Sequence, residues 1–304
     1  MQDGAAGGPA DVPSVHETYE IVRGEAAAGV RHRAAGTVVP ILLCDHAGNA
    51  FPPGYGTLGL PPAQIERHIA YDIGAAAVVR GMLARLGGAG LAGTAVLSRY
   101  SRLLIDLNRG ADDPTLVMRL SDGAIVPGNH PIEPVEWDRR IERYYRPYHR
   151  AVDGVIDRVL AQGQIPVVVS VHSFTDAWKG IPRPWHVGIL WDRDGRLPSR
   201  YLAALRAEPG LVVGDNQPYS GQLVGDCLYQ HATARVLAHA LVEIRQDLIT
   251  QPPGQQAWAD RLARLLAVML ADAGTVADLR PSAFRSHMDP ARSSGPHATA
   301  TLQV

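Results

Sequence analysis

Cysteine is nearly absent. The 304 residues carry two, Cys44 and Cys227, far apart and without CxxC spacing. That excludes a disulfide framework and a Cys-rich zinc site, and it fits a reducing cytoplasm, where the protein is expected to reside. An excess of charge of one sign is missing as well: Lys+Arg total 29 and Asp+Glu 30, a formal net charge of −1. The totals therefore carry no electrostatic footprint for nucleic acid or an anionic membrane, and neither is expected as a partner; a small molecule is. No stretch approaches the ~18 uninterrupted apolar residues of a membrane span, and the first residues lack a basic segment followed by an apolar one, so no secretory signal is readable. What remains is 46% hydrophobic and 19% charged, enough apolar content for a substantial core and too much for global disorder.

Both ends are poor in large apolar groups, and residues 1–15 and 281–304 are expected to be disordered. Between them, no internal repeat and no linker-like tract falls within 30–275, so a single domain over 16–275 is expected. Short aliphatic runs at Thr37–Leu43, Thr94–Leu97, Arg102–Leu107, Ile165–Val171, His186–Trp191, Leu211–Val213 and Ala240–Ile244 read as buried strands. Helical patterns fall at Pro61–Leu86, Glu136–Gln162, Pro198–Arg206, Gln222–Ala238 and Gly254–Ala271. In the second of these, Tyr144, Tyr148, Val152, Val155, Ile156 and Val159 recur at three- and four-residue steps, the stripe of a core-facing helix. Strands alternating with helices predict a three-layer α/β/α sandwich around a mixed, mostly parallel sheet, with ligands beyond the carboxyl ends of its strands.

The informative positions are those where polar residues break these runs. The first strand ends in Cys44-Asp45-His46-Ala47-Gly48-Asn49, the strand from Ile165 in Val171-His172-Ser173, and the run from Arg102 in Asp106-Leu107-Asn108-Arg109. Glu243 and Arg245, two apart and so on one strand face, sit inside the apolar run HALVEIRQDLI. A buried carboxylate there needs a cation, a metal or its water. His46 and His172 with a carboxylate make a plausible open zinc site, and Asp72, four residues after His68, is the candidate carboxylate. His231 is kept as a possible group behind the ligands, and the other histidines are read as structural or surface residues.

Six blocks in order, CDHAGNAFP, HIAYDIGA, SRYSRLLIDLNR, VSVHSFT, DNQPYSG and VEIRQDLI, resemble the N-formylglutamate amidohydrolase family, whose fold is similar to that of zinc carboxypeptidases and aspartoacylase-type deacylases. The resemblance covers roughly 38–272. It implies one Zn²⁺ per chain on His46 and His172, Glu243 as general base, and Asn108 and Arg109 holding a substrate carboxylate. It also implies an N-acyl amino acid, N-formyl-L-glutamate first, as the small-molecule substrate, and a setting in histidine breakdown. The His-x-x-Glu of zinc exopeptidases becomes His46-Ala47-Gly48-Asn49, which lacks the carboxylate; Asn49 is left to ligate through its amide oxygen or to meet substrate, and Asp72 is favoured for the charge. Gripping an acidic amino acid calls for arginines, and Arg102, Arg109 and Arg245 are the candidates, with Arg102 alternatively bracing Asp106 or Asp72 and Glu243 alternatively pairing with Arg245. Tyr219, in the turn-like Asn216-Gln217-Pro218-Tyr219-Ser220-Gly221, is expected to cap the pocket.

Overall fold

The computed structural model describes residues 18–25 and 36–281. The two segments expected to be disordered lie outside these residues, apart from Pro281. The chain begins with β1 (Tyr19–Arg23) and β2 (Val38–Cys44), followed by α1 (Pro62–Ile65), α2 (Ala75–Gly88) and β3 (Thr94–Ser98). A small hairpin, β4 (Leu120–Ser121) and β5 (Ala124–Ile125), precedes α3 (Pro134–Arg140) and α4 (Arg146–Ala161). The long β6 (Ile165–Phe174) leads into a second small hairpin, β7 (Ala177–Trp178) and β8 (Ile181–Pro182), and then β9 (Val187–Leu190). After α5 (Pro198–Arg206), β10 (Val213–Asp215) and β11 (His239–Arg245), the described chain closes on α6 (Pro252–Ala271) and α7 (Ala273–Asp278).

Seven strands form one sheet in the order β1-β3-β2-β6-β11-β9-β10. The pairs β3/β2, β2/β6, β6/β11 and β9/β10 are parallel, while β1/β3 and β11/β9 are antiparallel. All ten residues of β6 are buried, as a central strand covered on both faces must be. Its odd-numbered valines, Val167, Val169 and Val171, join α2 and α6 in one apolar layer. On the other face Val168 meets the Tyr148, Val152, Val155, Ile156 and Val159 stripe of α4. Each such aliphatic side chain contributes roughly 1.5–3 kcal/mol by leaving water, so both helical layers are fastened to the sheet. This is the expected three-layer sandwich. The chain leaves β2 toward β3 on one side and later returns to β6 on the other, which makes the carboxyl end of β2 a switch point where a cleft opens.

Several local expectations change. Arg102–Leu107, read as a strand, is instead a buried run of turns. Its carbonyls find side-chain donors rather than a neighbouring strand: Asn129 Nδ2 donates to Leu103 O at 2.7 Å and Arg140 Nη1 to Leu104 O at 2.9 Å, satisfying backbone that burial would otherwise strand. The single helix expected over Pro61–Leu86 splits into α1 and α2. Gly74 ends the gap at φ 81°, and a Cβ there would lie 2.1 Å from Ile249 O, so only glycine fits. The break matters, because it frees Asp72 to donate its N–H to His46 O at 2.9 Å. Within Gln222–Ala238 the one helical element is a wide turn, Tyr229–Thr233. The edge strand β1 carried no signal strong enough to be anticipated. No described helix is long and apolar enough to cross a membrane.

Candidate active site

Three elements converge at the switch point. His46 lies two residues beyond the end of β2, Asp72 lies in the gap before α2, and His172 stands near the end of β6. All three are buried. Their donor atoms meet: Asp72 Oδ2 is 2.7 Å from His172 Nδ1 and 3.4 Å from His46 Nδ1, and the two rings stand edge to face at 5.1 Å. Behind each ring a second group takes the other nitrogen. Asp106 Oδ1 accepts from His46 Nε2 at 2.6 Å, while Ser170 Oγ and Asp45 Oδ2 lie 3.0 and 3.3 Å from His172 Nε2. Such backing holds a ring in place and directs its Nδ1 lone pair forward. Asp45 is itself held by Tyr148 Oη at 2.5 Å.

The electrostatics agree with this arrangement. Burial by itself would raise Asp72, but the charge of His46 and the hydrogen bond from His172 hold it well below the usual carboxylate range. Asp106 is likewise held far down against the cost of burial, by Arg102 and His46, and Asp45 at about 2 by His172 and Tyr148. Burial would lower His172, yet Asp45 and Asp72 raise it well above an ordinary imidazole. With both imidazoles neutral, three ionised aspartates against Arg102 leave two negative charges, which a divalent cation would balance. The donor set is therefore that of an open metal site, two imidazole nitrogens and one carboxylate, and it fits a divalent ion.

Glu243 completes the cluster. In the parallel register of β11 on β6 it lies opposite His172, on the same sheet face. Its Oε2 is buried without a hydrogen-bond partner. Burial, the largest influence, pushes the group up to about 7, with Asp72 adding to the rise and His172, His46 and Arg102 opposing it.

The model of the N-formylglutamate amidohydrolase family matches residues 39–250, a span that includes all four of these side chains. The chain belongs to this family. It is thus a hydrolase of amide bonds, and family membership implies a small N-acyl amino acid as substrate. Among solved structures, a gene product from Agrobacterium tumefaciens is 33% identical over 84% of this chain and 96% of that one, with a TM-score of 0.73. An N-formylglutamate amidohydrolase from Ralstonia eutropha is 23% identical over 84% of this chain and 97% of its own, with a TM-score of 0.59, a likeness of fold. No curated protein matches the sequence.

For this member of the family the remaining site expectations sort by what each side chain touches. Asn49 Nδ2 donates to Ile65 O at 3.2 Å and approaches Glu66, so its amide is turned to α1, while Asp72 is the residue among the imidazoles. Arg102 spends its guanidinium on Asp106 at 2.9 Å and Asp72 at 3.5 Å, the bracing alternative. Asn108 Oδ1 accepts from Cys227 N at 3.1 Å. Arg109 is half-buried, and its Nε has no partner. Arg245 pairs with Asp247 at 2.8 Å, not with Glu243. His68 stands apart, 3.5 Å from Asp122. The backbone of the Tyr219 turn passes close to Gly188, which lies opposite Glu243 in the sheet; a Cβ on Gly188 would sit 2.0 Å from Gln217 O. Burial and the charge of Glu243 raise the Tyr219 phenol.

Asp45 and Asp106 as the groups behind the imidazoles, and Arg183, which donates to Tyr219 Oη at 3.1 Å, were not anticipated. For the two aspartates the signal existed, a carboxylate inside an apolar run. Arg183 had none.

A second buried group, His149, Cys227 and His231, also brings possible metal donors within 4.8 Å of one another. Here the imidazoles are joined to each other and to an aspartate: His149 Nδ1 is 2.7 Å from His231 Nε2, and His231 Nδ1 2.8 Å from Asp153, while His149 Nε2 is buried without a partner. Burial, then the charge of His231, lowers His149 to about 3. Between that value and the ordinary 6.5 the unfolded chain binds a proton that the folded chain refuses, so stability falls as pH drops through this window, by up to about 3–5 kcal/mol. Urea unfolding from pH 7 to 4 is expected to show a steep loss of stability in the wild type and a flatter one in His149→Gln; equal slopes would remove His149 as a cause.

Proposed function

We propose that the protein hydrolyses N-formyl-L-glutamate, or a closely related N-acyl amino acid, to formate or the corresponding carboxylate and the free amino acid. The reading is supported above all by Glu243, a buried carboxylate with a partnerless oxygen beside two imidazoles and an aspartate arranged as metal ligands. His46, Asp72 and His172 would hold the ion, taken as zinc. Zinc in such a site supplies Lewis acidity, polarising an amide carbonyl and lowering the pKa of water to about 7.

The chain's own groups then account for the rest. Glu243, poised near neutrality, accepts a proton from the attacking water and hands it to the departing nitrogen as the C–N bond breaks, a role typically worth about 10² to 10⁴ in rate. The hydroxyl remains on the acyl carbon, and the amine leaves neutral. Asp106 and Asp45 keep the imidazoles from turning. Arg109, half-buried and without an ion-pair partner among the described residues, is the group for the substrate's α-carboxylate. Tyr219 shields the cleft from bulk water. This activity suits the histidine-breakdown setting that family membership suggests.

A deacylase with a roomier acyl pocket would use the same groups. Turnover of N-formyl-, N-acetyl- and N-succinyl-L-glutamate by the metal-loaded protein separates the two, with the formyl compound expected to be fastest. Equal rates on all three would overturn the formyl assignment.

A further inference from the structure

The arginines around the cleft fall into two kinds. Arg102 and Arg245 are each spent on carboxylates of this chain. Arg183 is not: its guanidinium donates to Thr175 Oγ1 at 3.0 Å, Thr175 O at 3.4 Å and Tyr219 Oη at 3.1 Å. Its guanidinium instead stands among three aromatic rings, 5.1 Å from the Tyr219 centroid, 5.6 Å from Trp178 and 5.8 Å from Phe174. The rings' negative faces steady the cation. They also displace water from around it, which strengthens its attraction for an anion.

The place of this cation follows from the sheet. Phe174 is two residues beyond His172 on β6, so both side chains leave the same face, about 6.6 Å apart along the strand. Tyr219, which accepts from Arg183, lies close enough to Glu243 and Asp72 for their charges to raise its phenol. Arg183 therefore stands one pleat outward from the imidazole of His172, at the rim of the same cleft. Arg109 lies in the loop after β3, beside Asn108, whose Oδ1 accepts from Cys227 N, whereas Arg183 lies in the β8–β9 connection. Arg109 and Arg183 are thus two cations without an ion-pair partner among the described residues. An N-acyl acidic amino acid carries two carboxylates flanking one amide.

We infer that Arg183, caged by Phe174, Trp178 and Tyr219, forms a subsite for the side-chain carboxylate of the substrate and makes the enzyme prefer acidic N-acyl amino acids over their neutral amides. The inference rests on the function proposed above and adds to it the group that reads the substrate's side chain. A guanidinium held by rings and hydroxyls presents its remaining N–H groups to one carboxylate.

The test compares kcat/KM for N-formyl-L-glutamate and N-formyl-L-glutamine in the metal-loaded wild type, Arg183→Met, Arg183→Lys and Tyr219→Phe. The wild type is expected to prefer the glutamate compound, and Arg183→Met to lower that preference about 10- to 100-fold, chiefly through KM. Arg183→Lys, which keeps the charge, should restore part of the preference, and Tyr219→Phe should keep most of it. An equal fall on both substrates in Arg183→Met, or a wild type without preference, would overturn the subsite and leave Arg183 a support for Tyr219. Calorimetric binding of L-glutamate and L-glutamine to the same proteins gives a reading independent of turnover. If no formyl compound is cleaved but glutamate binding still depends on Arg183, the proposed reaction fails and the subsite stands; if glutamate binding is indifferent to Arg183, the subsite fails.

Discussion

Glu243→Gln is expected to cut kcat on N-formyl-L-glutamate by at least about 10²-fold while the protein keeps its metal and its fold. The expectation follows from what the carboxylate does not do. Arg245, the natural structural partner two residues away on the same face, is occupied by Asp247, and Glu243 Oε2 bonds to nothing. Glutamine has the same shape, so packing on β11 is preserved and no ion pair is lost. What disappears is the ability to take up and release a proton. Because the ligand set lies on other residues, metal content by elemental analysis should equal that of the wild type, and KM should move far less than kcat. Near-normal turnover in this variant would remove Glu243 from the mechanism. A large loss accompanied by loss of metal would show that Glu243 acts through the ion's binding rather than through proton transfer.

The contrast between Glu243 and Arg183 explains how much of the site could be read without coordinates. Glu243 and His172 each interrupt an apolar strand and His46 lies just beyond the end of another, and a polar group in such a buried run must be justified by its neighbours. Burial makes their signal local. Strand alternation with helices likewise sufficed for the layers of the fold, because β2, β6 and β11 are covered on both faces and α4 carries a clean stripe. Asp72 was harder: its position depends on Gly74 breaking a helical pattern, an effect of the backbone of Ile249 far away in sequence. The run Arg102–Leu107 misled for a related reason. Its aliphatic side chains are indeed buried, but Asn129 and Arg140 supply the hydrogen bonds that a neighbouring strand would have made, and periodicity is blind to such remote donors. Arg183 sits between prolines in the β8–β9 connection, and its significance arises only when Tyr219 and Phe174 close around it.

The ligand set is tested most sharply by setting Asp72→Ala against Asn49→Ala. Both residues are spaced to supply the oxygen donor that the His46-Ala47-Gly48-Asn49 sequence leaves open, but the geometry separates them. Asp72 Oδ2 lies between the two Nδ1 atoms, whereas the Asn49 amide is bonded to Ile65 O. Asp72→Ala is therefore expected to lose its metal after dialysis and with it essentially all turnover, while Asn49→Ala keeps a full equivalent. The loss in Asp72→Ala has two sources. One ligand is gone, and the remaining imidazoles, still drawn toward their protonated forms by Asp106 and Asp45, must release protons before they can bind an ion. Asp106→Asn should fall between the two, weakening metal affinity by about 10- to 100-fold, because the ring of His46 loses the charge that orients it without losing the ring itself. Metal retained in Asp72→Ala and lost in Asn49→Ala would reverse the assignment. Full activity in the wild type after exhaustive chelation, with no metal detectable, would instead mean that the two imidazoles and the aspartate form a hydrogen-bonded cluster in their own right, and Glu243 would have to act on water alone.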